Sequence, residues 1–114
     1  MSEFRPRVFE IALSIDAVPA VFEYMELTGV SYSQVCKNGI QRAVAEQNES
    51  TEIQIPTTWL EEEKSGRTRT SMRLPTEVLM SLDTLATSSN VSWSDMASFL
   101  TECEVYYSLA LLKE

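Results

Sequence analysis

The chain of 114 residues has no histidine and only two cysteines, Cys36 and Cys103. Without histidine the commonest general base is missing. Two cysteines with no C-x-x-C spacing fall short of a zinc site, which takes about four ligands. No acid–base pair, nucleophile constellation or phosphate loop emerges. Catalysis is therefore not expected, nor is a metal, a cofactor or a small-molecule substrate. Both cysteines read as reduced, small apolar side chains in helices rather than as a redox pair.

Long apolar runs are missing too. None approaches the ~20 residues that span a bilayer, and the opening MSEFRPRVFE lacks the apolar stretch of a secretion signal. No membrane partner is expected, and a cytoplasmic location is. Positive charge is scarce: 9 Lys/Arg stand against 17 Asp/Glu, for a net charge of −8. Bulk attraction to nucleic acid is thus not a driving force. The acid is unevenly spread, with −2 over residues 1–46, −4 over 47–66 and −2 over 67–114. The middle stretch, QNESTEIQIPTTWLEEEKSG, reads as an acidic linker. Its EEEK run is a solvated face, and Thr58, three residues before Glu61, is placed to cap a short helix there.

What the chain does have is 44% apolar residues, enough for a core, and one stretch written twice. GVSYSQV (residues 29–35) returns 61 residues later as NVSWSDM (90–96). Shifted by that interval, Leu13 also meets Leu74 and Val44 meets Val105. This is a duplicated supersecondary unit.

Each copy opens with period-two alternation, the mark of a half-buried strand. In RTRTSMRLP, Thr70, Met72 and Leu74 point one way and Arg69, Ser71 and Arg73 the other. In RVFEIALS, Phe9, Ile11 and Leu13 oppose Val8, Glu10 and Ala12. A helix follows each strand. Val78, Leu79, Leu82, Leu85 and Ala86 share one helical face, as do Ala17, Val18, Val21, Tyr24 and Met25. Pro75 suits a first helical position. Pro19 is accommodated if Asp16 caps the earlier helix and the proline falls in its first turn.

The duplicated stretch is a turn into a second helix. Gly29 and Asn90 tolerate the left-handed backbone that ends a helix. Ser31 to Gln34 and Ser92 to Asp95 have the spacing of capping boxes. Val35, Cys36, Ile40, Ala43 and Val44 then form an apolar stripe. Gly39 weakens its helix by roughly 1 kcal/mol relative to Ala unless a neighbour packs closely there.

One strand–helix–turn–helix unit has two open strand edges and an uncovered apolar face, so it must pair with another. The expected fold is mainly α with a short β-ribbon, the two units pairing within the chain or by exchange between chains. Each side chain brought into the shared core contributes about 1.5–3 kcal/mol.

SMRLPTEVLMSLDTLATSSNVSWSDM resembles the Arc/MetJ/CopG ribbon-helix-helix family, whose pattern is a strand ending in R-L-P, a helix, G-x-S-x-S and a second helix. Residues 69–107 cover that pattern, and residues 8–46, with GVSYSQVCKNGIQRAV, cover a weaker copy. The resemblance implies a pseudo-twofold pair of ribbon-helix-helix units: residues 1–46, a linker over 47–66, and residues 67–114 with an apolar helical extension. It also implies a sequence-specific DNA-binding protein, a repressor or DNA-processing accessory factor of plasmid or phage type, with the ribbon in the major groove of double-stranded DNA.

By position, the implied base-contacting residues are Arg69, Ser71 and Arg73, with Val8, Glu10 and Ala12 opposite. Arginine suits guanine, glutamate accepts from cytosine N4, and the apolar pair suits thymine methyls. The implied phosphate contacts lie where the second helices begin, at Ser31, Tyr32, Ser33, Ser92, Trp93 and Ser94. Trp93 equally suits core packing. Three features depart from the family: the first strand lacks basic readers, the protein is acidic, and Thr101 and Glu104 replace apolar residues. The last helix instead carries Phe99, Cys103, Tyr106 and Ala110 on another stripe. Its 96–112 segment is a candidate for self-association or a protein partner. The competing function is an acidic protein-binding module on the same scaffold.

Overall fold

The computed structural model describes residues 7–47, 55, 59 and 68–113, with backbone alone at 7–9, 46–47 and 68–69. The elements run β1 (Arg7–Leu13), α1 (Val18–Thr28), α2 (Tyr32–Gln47), β2 (Thr68–Leu74), α3 (Thr76–Ser89) and α4 (Trp93–Leu112). Among the described residues the protein is mainly helical, with one two-stranded antiparallel sheet. Strand, helix, helix thus occurs twice, in the order the repeat implies. Thr58 and most of the 47–66 segment lie outside the described residues.

The two strands pair antiparallel from Arg7↔Leu74 to Leu13↔Thr68. Their alternation sets one face inward, where Ile11, Leu13, Met72 and Leu74 are buried. The helices form the floor beneath. α1 supplies Val21 and Tyr24, and α2 supplies Val35, Cys36, Ile40 and Ala43. α3 supplies Val78, Leu79, Leu82, Leu85 and Ala86, and α4 supplies Met96, Ala97, Leu100, Val105 and Leu109. The faces read from the sequence for α1, α2 and α3 are turned to the core, with Val18, Met25 and Val44 partly buried.

Local chemistry fixes the helix ends. Gly29 (φ 76°) and Asn90 (φ 57°) take the left-handed conformation that closes α1 and α3. Ser31 and Ser92 cap α2 and α4, their hydroxyl oxygens accepting from the N–H of Gln34 at 3.2 Å and of Asp95 at 3.0 Å. The first box is only half closed, because the Gln34 amide donates to Asn38 (2.8 Å) instead of reaching back.

Two expectations shift by one residue. Ala17, not Asp16, occupies the N-cap of α1 and makes no side-chain bond there; Pro19 does fall in the first turn. Pro75 is the extended N-cap of α3 (φ −60°, ψ 154°), and the helix starts at Thr76. In both places proline sits where a missing N–H costs no helical bond.

α2 and α4 cross at Gly39. A Cβ built there would stand 2.6 Å from the Leu100 carbonyl oxygen and 3.3 Å from Glu104 Cβ. The helix-weakening residue is therefore the one that lets the backbones meet. Beside this crossing Arg42 Nε lies 2.6 Å from Glu104 Oε1, Ser108 Oγ donates to Oε2 at 3.0 Å, and the guanidinium rests 4.2 Å from the Tyr107 ring centroid. Glu104, only 4% exposed, is thus a paired buried carboxylate. Thr101 is also buried and donates to the Ala97 carbonyl at 2.7 Å, so its hydroxyl is satisfied within the helix.

Neither cysteine is in a disulfide. Cys36 is buried, and burial pushes its thiol up to about 11, against a smaller opposing effect of its bond with Thr101. Cys103, on α4, is exposed. No helix among the described residues is long and apolar enough to cross a membrane.

Candidate nucleic-acid interface

Alternation puts residues 8, 10 and 12 on the strand face opposite to the core, and likewise 69, 71 and 73. The register then sets Val8 opposite Arg73, Glu10 opposite Ser71 and Ala12 opposite Arg69. Directly opposed residues in an antiparallel pair share a face. The six candidate base-contacting positions therefore converge on one outward surface, as three cross-strand pairs.

Glu10, Ser71 and Arg73 are exposed. The side chains of Val8 and Arg69 lie outside the described residues. Ala12 is 8% exposed, because α4 packs along the outer edge of β1 and covers it. Its N–H donates to Ser98 Oγ at 2.8 Å. Ala12 has almost no surface to offer a thymine methyl, which leaves any contact at that end of the ribbon to the Arg69 position.

That edge is closed by a column of side chains, of which the sequence reading singled out Ser94 alone, and that as a phosphate contact. Ser94 Oγ donates to the Glu10 carbonyl (2.7 Å), Ser98 Oγ accepts from Ala12 N–H, and Glu102 accepts from Ser14 N–H (2.9 Å) and Ser14 Oγ (3.0 Å). Trp59 Nε1 donates to the same carboxylate at 3.1 Å and sets its ring edge-on to Phe99. Spacing of i, i+4 and i+8 places the column on one side of α4.

A legible signal was the polar run Ser94, Ser98, Glu102 down a helix otherwise rich in apolar residues. Shifted back by the repeat, the column becomes Ser33, Lys37 and Gln41, and Ser14 becomes Pro75. Proline has no N–H to satisfy, and lysine is a donor with no acceptor. The two outer edges of the ribbon are therefore chemically unlike.

At the helix starts, most of the candidate phosphate-contacting side chains are already engaged. Ser31 and Ser92 cap their own helices, and Ser94 holds Glu10. Trp93 donates its indole N–H to Asp83 Oδ1 at 2.9 Å and packs against the core. Tyr32 stands edge-on to Phe22 (6.1 Å, 84°), its hydroxyl turned inward and buried without a hydrogen-bond partner. Ser33 is half-buried. What these positions can offer an anion is chiefly backbone N–H, since the first residues of a helix have no intrahelical acceptor.

Among the described residues no group of three or more His, Cys, Asp or Glu could hold a metal ion. Two shallow clefts flank α2. One of about 200 Å³ lies at Gly39, Arg42, Cys103 and Tyr107; the other, of about 220 Å³, lies at Lys37, Gln41, Pro75 and Glu77. No family model, no curated protein and no solved structure matches the chain.

Proposed function

We propose that the protein binds double-stranded DNA sequence-specifically, inserting the outward face of its ribbon into the major groove as a transcriptional repressor or DNA-processing accessory factor. In this reading the chain is a tandem of two ribbon-helix-helix units related by an approximate twofold axis. The observation that carries it is the pairing of Val8 with Arg73, Glu10 with Ser71 and Ala12 with Arg69 on one face of an antiparallel ribbon. A two-stranded ribbon is the width the major groove admits, and the face combines arginine with short polar side chains.

The ribbon is asymmetric, so its site is non-palindromic. The two arginines lie four residues apart on β2, about 13 Å at strand rise. That matches guanines roughly four base pairs apart. Glu10 stands mid-face, where it accepts from a cytosine amino group and disfavours other bases. The opening N–H groups of α2 and α4 serve the flanking phosphates.

With a net charge of −8 the protein has no long-range attraction to DNA, so affinity comes from local contacts. Titration of duplex binding against salt tests this. The expected slope of log affinity on log salt is negative, about −0.9 per phosphate contacted. Arg73→Ala is expected to weaken binding by about 1–3 kcal/mol.

A second reading, an acidic module that binds a protein, is favoured by Glu10 on the exposed face and by the net charge. It predicts no duplex binding at low salt.

A further inference from the structure

α4 carries a second apolar stripe, of which only the half-buried Phe99 packs against the core. Phe99, Cys103, Tyr106 and Ala110 follow one another at steps of four, three and four. They lie on the side away from Thr101, Val105 and Leu109. Cys103, Tyr106 and Ala110 are exposed and Phe99 is half-buried. A mean step near 3.5 is the spacing with which one helix lays a seam against another.

The exposed surface of α4 from Cys103 to Leu112 also carries no formal charge, since Glu104 is buried against Arg42. In a chain whose residues are 23% charged, an uncharged outer face of more than two turns marks a contact surface.

The order of sizes along the stripe says what fits it: large, small, large, small. A twofold contact sets residue i against j and j against i. Laid antiparallel so that Cys103 meets Tyr106, a second copy also brings Phe99 against Ala110. Every layer then joins a large side chain to a small one, as knobs enter holes. A parallel pairing would set Phe99 on Phe99 and Ala110 on Ala110, overfilling one layer and leaving the next empty.

The antiparallel register suits the ends as well. Trp59 sits edge-on to Phe99 with ring centroids 5.4 Å apart, and Ala110 is small enough to enter beside that corner. Lys113, 3.3 Å from Glu23 on its own surface, comes near Asp95 of the second copy. We infer that the stripe Phe99–Cys103–Tyr106–Ala110 docks antiparallel on the same stripe of a second copy, about a twofold axis between Cys103 and Tyr106.

The seam from Phe99 to Ala110 is about 17 Å long on a helix about 10–12 Å across. It falls short of the ~800 Å² per partner of a standard interface, so the association is reversible. It does not depend on the DNA reading.

Sedimentation equilibrium of the full chain without DNA, from about 1 µM to about 1 mM, tests it. The mass should rise from one copy to two. Association should strengthen with salt, because two bodies of charge −8 repel and salt screens them. DNA binding has the opposite salt dependence, so the two readings fail separately.

Tyr106→Cys places a thiol opposite Cys103 of the second copy. With diamide as oxidant this variant should cross-link into a covalent dimer several-fold faster than the natural chain, whose thiols are staggered. Ala110→Glu, on the surface, should abolish association while the unfolding midpoint is kept. A single-copy mass throughout would overturn the inference and leave the stripe to a different partner. Equal cross-linking of the natural and Tyr106→Cys chains would overturn the antiparallel register.

Discussion

Gly39 and Leu100 meet where α2 crosses α4, and a Cβ on Gly39 would stand 2.6 Å from the Leu100 carbonyl oxygen. Alanine at this position should gain about 1 kcal/mol in helix propensity. The clash is with backbone, so the helices must separate, and overpacking typically costs about 1–3 kcal/mol. Gly39→Ala is therefore expected to lower stability by up to about 2 kcal/mol, or to leave it little changed where the crossing relaxes. Denaturant unfolding measures it, and a gain of the full propensity term would contradict the crossing.

The Arg42–Glu104 pair is half-buried, with the carboxylate 4% exposed and the guanidinium side 42% exposed. Removing Arg42 leaves a buried charge with Ser108 as its remaining described partner. Loss of one partner of a fully buried pair costs about 3–5 kcal/mol, and exposure of the arginine reduces this to about 2–3 kcal/mol. Arg42→Met should show that loss in chemical unfolding. Arg42→Met together with Glu104→Met should recover most of it, and strict additivity of the two changes would argue against the coupling.

Glu102 closes the outer edge of β1 by accepting from Ser14 and Trp59. Glu102→Ala should destabilise the protein by about 2–3 kcal/mol, as hydrogen bonds to a charged group are lost. Amide exchange at Ser14 should accelerate roughly ten-fold or more, with less change in α3. Uniform acceleration across the protein would show a global effect instead.

Cys36 and Cys103 should differ sharply toward a thiol reagent. In the folded protein one thiol reacts quickly and the second only after denaturation, because Cys36 is buried and Cys103 exposed. The raised thiol of Cys36, from 9.0 to about 11, also sets a pH dependence. The unfolded chain releases this proton first. The contribution to stability is therefore complete below about 9 and declines as pH rises towards about 11. The difference in unfolding midpoint between the natural chain and Cys36→Ala should shrink across that window.

The local devices of the fold are legible in the sequence. Period-two alternation gave both strands, the 3.6 spacing of Val78 to Ala86 gave a buried face, and Gly29, Asn90, Ser31 and Ser92 marked the helix ends. Gly39 was readable as a conditional: costly unless another backbone came close. What was not legible depends on long-range geometry. Nothing local says that Ser94, Ser98 and Glu102 will lie against the edge of β1, or that Trp59 will reach Glu102 from the linker. Thr101 and Glu104 looked like departures from an apolar pattern, yet both are core-facing, one bonded within its helix and the other held by Arg42. Alternation separated the two faces of the ribbon, and the resemblance to the ribbon-helix-helix family implied which six positions face outward to bases. The cover over Ala12 required the helix to be in place.

The central claim is that the paired outward positions of β1 and β2 read base sequence. Selection from a randomised duplex pool, run in parallel with the natural chain and with Arg73→Ala, tests it most directly. The account predicts enrichment of a non-palindromic core with guanine preferences roughly four base pairs apart, one of which is lost in the Arg73→Ala selection. Absence of any enriched sequence at low salt, or an identical core from both proteins, would contradict it.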